Sequence, residues 1–382
     1  MQLIVASIPL FFILIGIEIV ASRVLERRVY SFADSFADLG CGMIEQLLGV
    51  LVKASLFAAY MALYANARLF DLPQDSWIVF AVCFLAVDFF YYWFHRMSHE
   101  IGAFWAAHSV HHQSEEYNLT VALRQGAFQG FVSWVFYLPL AVVGFAPVTF
   151  ITCSALNTLY QFWIHTRLIG KMGPIEWIFN TPSHHRVHHG RNPRYIDRNH
   201  AGVFIIWDRM FGTFVPETDE PLYGVVKPLQ SANPLWANFA GWADLLSVAR
   251  RSRRFQDRLR PFIAAPGWRP RELGGPVTPP EVGRRSDEPA PRSTPPALAG
   301  YVFINLVLLL VLTASALGKA AAVGTMTLVA LALLVIGSLV VLAALLEQRR
   351  RAPLLEGGRV LVLLVLLSVH GPRFFALIFG NP

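Results

Sequence analysis

Residues 77–112 read WIVFAVCFLAVDFFYYWFHRMSHEIGAFWAAHSVHH, and the way this stretch divides decides the fold class. Its first half, 77–94, is apolar apart from Asp88 and long enough to enter a bilayer as a helix. Its second half carries His95, His99, His108, His111 and His112. Spacings of three and four residues put imidazoles on one face of a helix. The pattern returns downstream: after a lone His165, residues 183–190 read SHHRVHHG, with His184, His185, His188 and His189, and His200 follows. Eleven of the twelve histidines therefore lie between Trp93 and Trp207. Neutral imidazoles gathered where apolar segments end are most simply ligands for a transition metal.

Composition supports a membrane setting. Hydrophobic residues make up 55% and charged residues 15% of the chain, against about 25% charged in soluble proteins. The mean hydropathy is +0.47. The net charge of +7 does not point to a nucleic-acid partner, because the arginines gather in loops beside apolar spans, as on a cytoplasmic face. Cys41, Cys83 and Cys153 form no CxxC and read as buried free thiols.

Taken in order, apolar spans fall at 3–20, 44–64 and 77–94, then a hairpin at 128–145 and 148–164 broken by Gly144 and Pro147, then 300–318, 322–346 and 360–379. The first span has no basic residues before it and Arg23, Arg27 and Arg28 after it, so it reads as an uncleaved anchor with its N-terminus outside. The expectation is an all-α, polytopic membrane protein with about eight membrane-associated helices and a histidine-rich cytoplasmic cap. Two half-depth helices at 128–164 would preserve the same parity. The loops at 22–43, 95–127, 166–299 and 347–359 then share one side and hold nearly all the Lys and Arg, which puts the histidine clusters in the cytoplasm, at the inner membrane if the source is bacterial. The chain divides into N-terminal transmembrane helices (1–76), a histidine-box domain (77–216), a cap extension (217–264), a Pro-rich linker with nine prolines (265–299) and C-terminal transmembrane helices (300–382).

Imidazole suits iron, zinc, copper and nickel, and ligand type alone does not choose among them. One ion needs three or four ligands, so nine or more clustered histidines imply two ions. An iron pair can activate O2 as cosubstrate and remove hydrogen from an unactivated C–H bond, whereas zinc has no redox chemistry. Thr181-Pro182 gives a capping hydroxyl and a first-turn proline ahead of the third cluster. Glu100 is a candidate ligand, ligand-orienting partner or proton carrier. Asp88, a charge inside an apolar helix, is a candidate to orient a ligand. Asn118, Arg124 and Gln125 are candidates to brace ligands or meet a headgroup, and His184 and His200 are further candidates beside the clusters. His370, inside the last span, reads as structural.

HRMSH, HSVHH and HHRVHH resemble the three histidine boxes of the fatty acid hydroxylase/sterol desaturase superfamily of membrane di-iron oxygenases. The resemblance covers about residues 77–216, and HxxHHQSEEYNLTVALRQ and NTPSHHRVHHGRNPRYIDRNHAGVFIIWDRMFGTF are most like its ether-lipid branch. It implies two iron ions held by His95, His99, His108, His111, His112, His185, His188 and His189, with His165 as an intervening ligand. Glu100 matches the acidic residue after that branch's first box and is implied to be catalytic. The animal ether-lipid enzyme hydroxylates the carbon beside the ether oxygen, with a tetrahydropterin as reductant. His200, in NHAG, departs from the pattern where an aromatic residue is expected, and bears on the pocket wall.

The leading expectation is an O2-dependent hydroxylase of an ether lipid, fatty acyl chain or sterol drawn from the bilayer. Desaturation within the same superfamily is the alternative. A zinc intramembrane hydrolase is a second class, but the only His-Glu pair, His99-Glu100, runs into Ile101-Gly102-Ala103 and makes no HExxH. A haem carrier is a third, and it would use facing pairs of histidines across helices rather than clusters at their ends. The chain shows no GxGxxG and no CxxC, so electrons are expected from a separate redox donor protein or a diffusible reductant such as a pterin.

Overall fold

The computed structural model describes residues 2–280, 294–320 and 322–379, without the side chains of 2–5, 52–54 and 370–379. Part of the Pro-rich linker and the side chain of His370 lie outside the described residues. Thirteen α-helices are described: α1 (Gln2–Val24), α2 (Phe32–Ala67), α3 (Trp77–Glu100), α4 (Gly102–His112), α5 (Gln129–Val143), α6 (Pro147–Trp163), α7 (Pro182–His188), α8 (Ile206–Met210), α9 (Pro234–Arg251), α10 (Phe255–Ile263), α11 (Pro296–Gly318), α12 (Thr325–Leu346) and α13 (Ala352–Phe379). Among the described residues there is no strand, only a single antiparallel bridge between Phe179 and Phe204.

Five described helices are long and apolar enough to cross a membrane, at Ala6–Val24, Trp77–Glu100, Pro296–Gly318, Thr325–Leu346 and Ala352–Val369. A sixth forms if α2, bent by 50° between Leu51 and Ser55, is one span. The chain is a multi-pass membrane protein. The hairpin differs from two full spans. At 15 and 17 residues, α5 and α6 reach about 22 and about 25 Å, short of a hydrocarbon core of about 30 Å. Gly144 ends α5 at φ 113°, where a Cβ would stand 2.0 Å from the Phe70 carbonyl oxygen, so only glycine fits. Pro147 then opens α6 at the position where its missing N–H costs nothing.

Two helices start earlier than hydropathy indicates. α2 begins at Phe32 rather than near 44, because the acids in its first turns have partners: Asp34 accepts from Ser114 Oγ at 2.6 Å and from the Glu116 N–H at 3.0 Å. α13 begins at Ala352 rather than 360, since Arg359 pairs with Glu356 at 2.5 Å and donates to Asn305 of α11 at 2.7 Å. Apolar residues of α2, α11 and α12 form one core, including Ile44, Leu306, Val335 and Leu339. A second core joins α2, α3, α5 and α6 through Tyr60, Val87, Leu140 and Cys153. All three cysteines are buried free thiols. The histidines gather where α3, α4, α6 and α7 meet.

Candidate metal centre

α3 carries His95 and His99 at its end, α4 carries His108, His111 and His112, His165 follows α6, and α7 with its cap supplies His185, His188 and His189. The chain breaks at Ile101 (φ −117°, ψ 124°) and restarts at Gly102, whose N–H donates to the Ala264 carbonyl at 2.8 Å. A Cβ on Gly102 would lie 2.0 Å from the Pro261 carbonyl oxygen, so this close approach requires glycine. α7 opens with Pro182 as its sequence indicates, but the Thr181 hydroxyl makes no cap. It donates to the Glu176 carboxylate at 2.9 Å, a charged acceptor within reach.

All nine histidines expected as ligands are buried, and they sort into two groups. His95, His99, His108, His112 and His188 each offer a ring nitrogen within 4.8 Å of the others, and His111, His165, His185 and His189 do likewise. Consecutive helical residues point about 100° apart, so His111 and His112 on α4, and His188 and His189 about the end of α7, face different groups. The groups touch through the stacked rings of His112 and His189, 4.4 Å apart.

The hydrogen bonds behind the rings decide which nitrogen is free. A carbonyl oxygen only accepts, so a ring nitrogen facing one must carry the proton. Nδ1–H of His95 donates to the His200 carbonyl (2.7 Å), His111 to Arg124 (2.9 Å), His165 to Gln161 (2.7 Å) and His188 to Arg198 (2.9 Å). His108 Nδ1–H donates to Gln129 Oε1 at 2.8 Å, and the Gln129 amide nitrogen faces Gln125, which fixes its orientation. Nε2 of these rings is then a bare lone pair. Yet Nε2 of His95 and His108 stand 3.0 Å apart, and those of His111 and His165 stand 3.2 Å apart, with no proton to share. Nε2 of His99, His188 and His189 is buried without a partner. Unsatisfied buried polar atoms cost about 1–3 kcal/mol each. A cation in each group would satisfy them, and nitrogens about 2.1 Å from one ion lie about 3 Å apart when at right angles. The residues fit a metal in both groups.

Burial also keeps the rings in the binding form. It pushes His108 down to about 3 and His165 to about 4, and it lowers His111, His112, His185, His188 and His189 as well, with neighbouring imidazoles adding to the shift. Neutral imidazole is the form that ligates.

The remaining candidates lie at varying distances. Glu100 is not brought to the histidines: its half-exposed carboxylate accepts from Arg96 at 2.8 Å, one turn back. Asp88 touches no histidine either. It accepts from Asn157 (2.6 Å), the Val203 and Phe204 N–H groups (2.8 and 3.0 Å) and Trp207 (2.9 Å), anchoring the segment after His200. Arg124 holds His111 through its carbonyl, while its buried guanidinium pairs with Asp38 at 3.0 Å and donates to the Val110 carbonyl at 2.6 Å. Asn118 accepts from the Thr120 N–H of its own loop at 3.0 Å and donates to the Val29 carbonyl between α1 and α2 at 2.7 Å. Gln125 stands behind Gln129. His184 faces Glu176 at 3.9 Å and packs its ring against Phe214, outside both groups. His200 packs against His95, His99 and His188.

Sequence reasoning missed Gln129, Asp197 and Tyr117. Asp197, at φ 57°, faces His99 Nδ1 at 3.2 Å. Tyr117 lies against His165 and His189. Glu18 was detectable as an acid in an apolar span; it accepts from Tyr30, Thr166 and the Leu119 N–H, tying α1 to the residue after His165.

The family model "Fatty acid hydroxylase" matches residues 80–213. An alkylglycerol monooxygenase of Xenopus tropicalis is 39% identical over 362 residues, 93% of this chain and 80% of that protein. The Homo sapiens alkylglycerol monooxygenase is 37% identical over 94% of this chain and 81% of its own length. An ornithine lipid hydroxylase of Rhizobium tropici is 28% identical over 33% of this chain and 39% of that protein. No solved structure matches.

Proposed function

The chain belongs to the alkylglycerol monooxygenase branch of the fatty acid hydroxylases, and from that premise we propose that its two histidine groups hold a pair of iron ions for hydroxylation of an ether lipid. It is a multi-pass membrane lipid monooxygenase. The observation that carries the di-iron reading is the pair of all-histidine groups sharing α4 and α7. His95, His99, His108, His112 and His188 would hold one ion, and His111, His165, His185 and His189 the other. Bound iron would supply activation of O2 and removal of hydrogen from the lipid.

The protein's own residues orient and dry this site. Backbone carbonyls and Gln129 hold five imidazoles in the Nδ1–H tautomer, with Nε2 presented to the ion. Tyr91 and Trp105 pack on the rings of the first group and Tyr117 on those of the second. The relatives' name supports an alkylglycerol as substrate. Hydroxylation beside its ether oxygen gives a hemiacetal, which falls apart to an aldehyde and glycerol. Each turnover takes one O2, two electrons and two protons and releases one water. The electrons come from outside the chain, from a redox protein or a reduced pterin, on what the loop charges make the cytoplasmic side.

The test is cleavage of 1-O-hexadecylglycerol by the purified protein. Hexadecanal is expected to accumulate over many turnovers only with both O2 and reductant, and without reductant at most one turnover follows. Sustained cleavage under nitrogen would make the protein a hydrolase instead.

A further inference from the structure

Beside the second histidine group lies a cleft of about 590 Å³. Arg186, next to His185, forms part of its wall, and so does Tyr223, stacked 4.8 Å from Tyr117. One layer of aromatic rings thus separates the cleft from the candidate metal ligands.

Its charge is unbalanced. Glu217, Asp219 and Glu220 line it, but each is engaged: Arg186 takes Glu217 (2.7 Å), Arg194 takes Asp219 (2.7 Å) and Arg167 takes Glu220 (2.6 Å). Arg27, Arg28 and Lys171 also line it and have no acidic partner among the described residues; Arg27 donates only to the Arg167 carbonyl, at 3.3 Å. Two buried donors of the same wall lack hydrogen-bond partners, the Tyr223 hydroxyl and Arg167 Nη1, the latter 3.7 Å from the Glu116 carboxylate. An adjoining cleft of about 550 Å³ shares Arg27 and Arg28 and adds Arg23, opposed by Glu26.

Unneutralised guanidinium and ammonium groups with spare donors suit a small anion with several oxygens, above all a phosphate. The volume has room for more than phosphate alone. Position selects the source. Arg27 and Arg28 follow directly on the apolar helix that ends at Val24, where a span meets lipid headgroups.

We propose that this cleft binds the phosphate of a membrane lipid headgroup. The site goes beyond the oxygenase reading and is measured by binding, so the two stand or fall separately. The experiment is native mass spectrometry of the full-length protein in detergent with phosphatidic acid, with diacylglycerol of the same chains, and with glycerol 3-phosphate. Wild type is expected to retain phosphatidic acid and not diacylglycerol. Arg28→Glu/Lys171→Glu should weaken retention at least tenfold with unchanged metal content, and Arg250→Glu/Arg251→Glu, exposed on α9, should leave it intact. Equal binding of glycerol 3-phosphate, in competition with the lipid, would keep the phosphate site but overturn the lipid as its source. Undiminished retention by the double variant, or equal loss in the α9 variant, would overturn the proposal.

Discussion

His188 and His184 differ by one helical turn and by everything that matters for ligation. His188 gives its Nδ1 proton to the Arg198 carbonyl and leaves Nε2 buried, bare and facing the first group. His184 packs on Phe214 and faces Glu176. His188→Ala is therefore expected to lose at least half of the bound metal and at least 100-fold in activity, while His184→Ala keeps full metal and loses less than tenfold. Elemental analysis beside an activity assay checks both. Glu100→Gln is expected to bind metal like wild type and lose less than tenfold in kcat, because its carboxylate is spent on Arg96 at the protein surface. A loss of 100-fold with metal retained would return Glu100 to the reacting centre. Spacing picked out the three clusters that hold eight of the nine grouped histidines, since three- and four-residue repeats survive in any helix, whereas the lone His165 rested on the family resemblance. It did not foretell which of them share a group, because that depends on how α4 and α7 are rotated against each other. Nor did it separate Gln129 from Gln125, four residues apart on the approach to α5.

At the scale of elements, α4 is the piece that must not move, since it serves both groups. Its entry is set by Gly102 against the Pro261 carbonyl, in the C-terminal half of α10. Gly102→Ala forces backbone to shift against backbone and is expected to cost about 1–3 kcal/mol, seen as a lower Tm together with loss of metal from both groups. A variant with unchanged Tm and metal would show that the α3–α4 corner is not what positions the histidines. The spans were legible as apolar runs, but their ends were not. Acids and arginines at the starts of α2 and α13 look like loop residues until their partners on other helices are known. The α5–α6 hairpin, which the sequence left open between two spans and two half-depth helices, has helices of 15 and 17 residues, too short for two full spans.

Across the whole molecule, the site draws on parts of the chain far outside the histidine-rich stretch. Glu18 of α1 and Asp38 of α2 grip the 119–124 segment, and α9 meets α4 through Gln113, which donates to the Ala237 carbonyl at 3.1 Å. Those long-range ties were invisible in the sequence, where the same residues read as a membrane anchor and a cap. The di-iron proposal assigns this scaffold two redox-active ions. Elemental analysis of the detergent-purified protein, after reconstitution with Fe(II) under reductant, tests it most directly, with a Mössbauer spectrum to report coupling. About two irons per chain, falling to about one or none in His188→Ala, is the expected result. Folded protein that takes up no iron would rule out a di-iron centre.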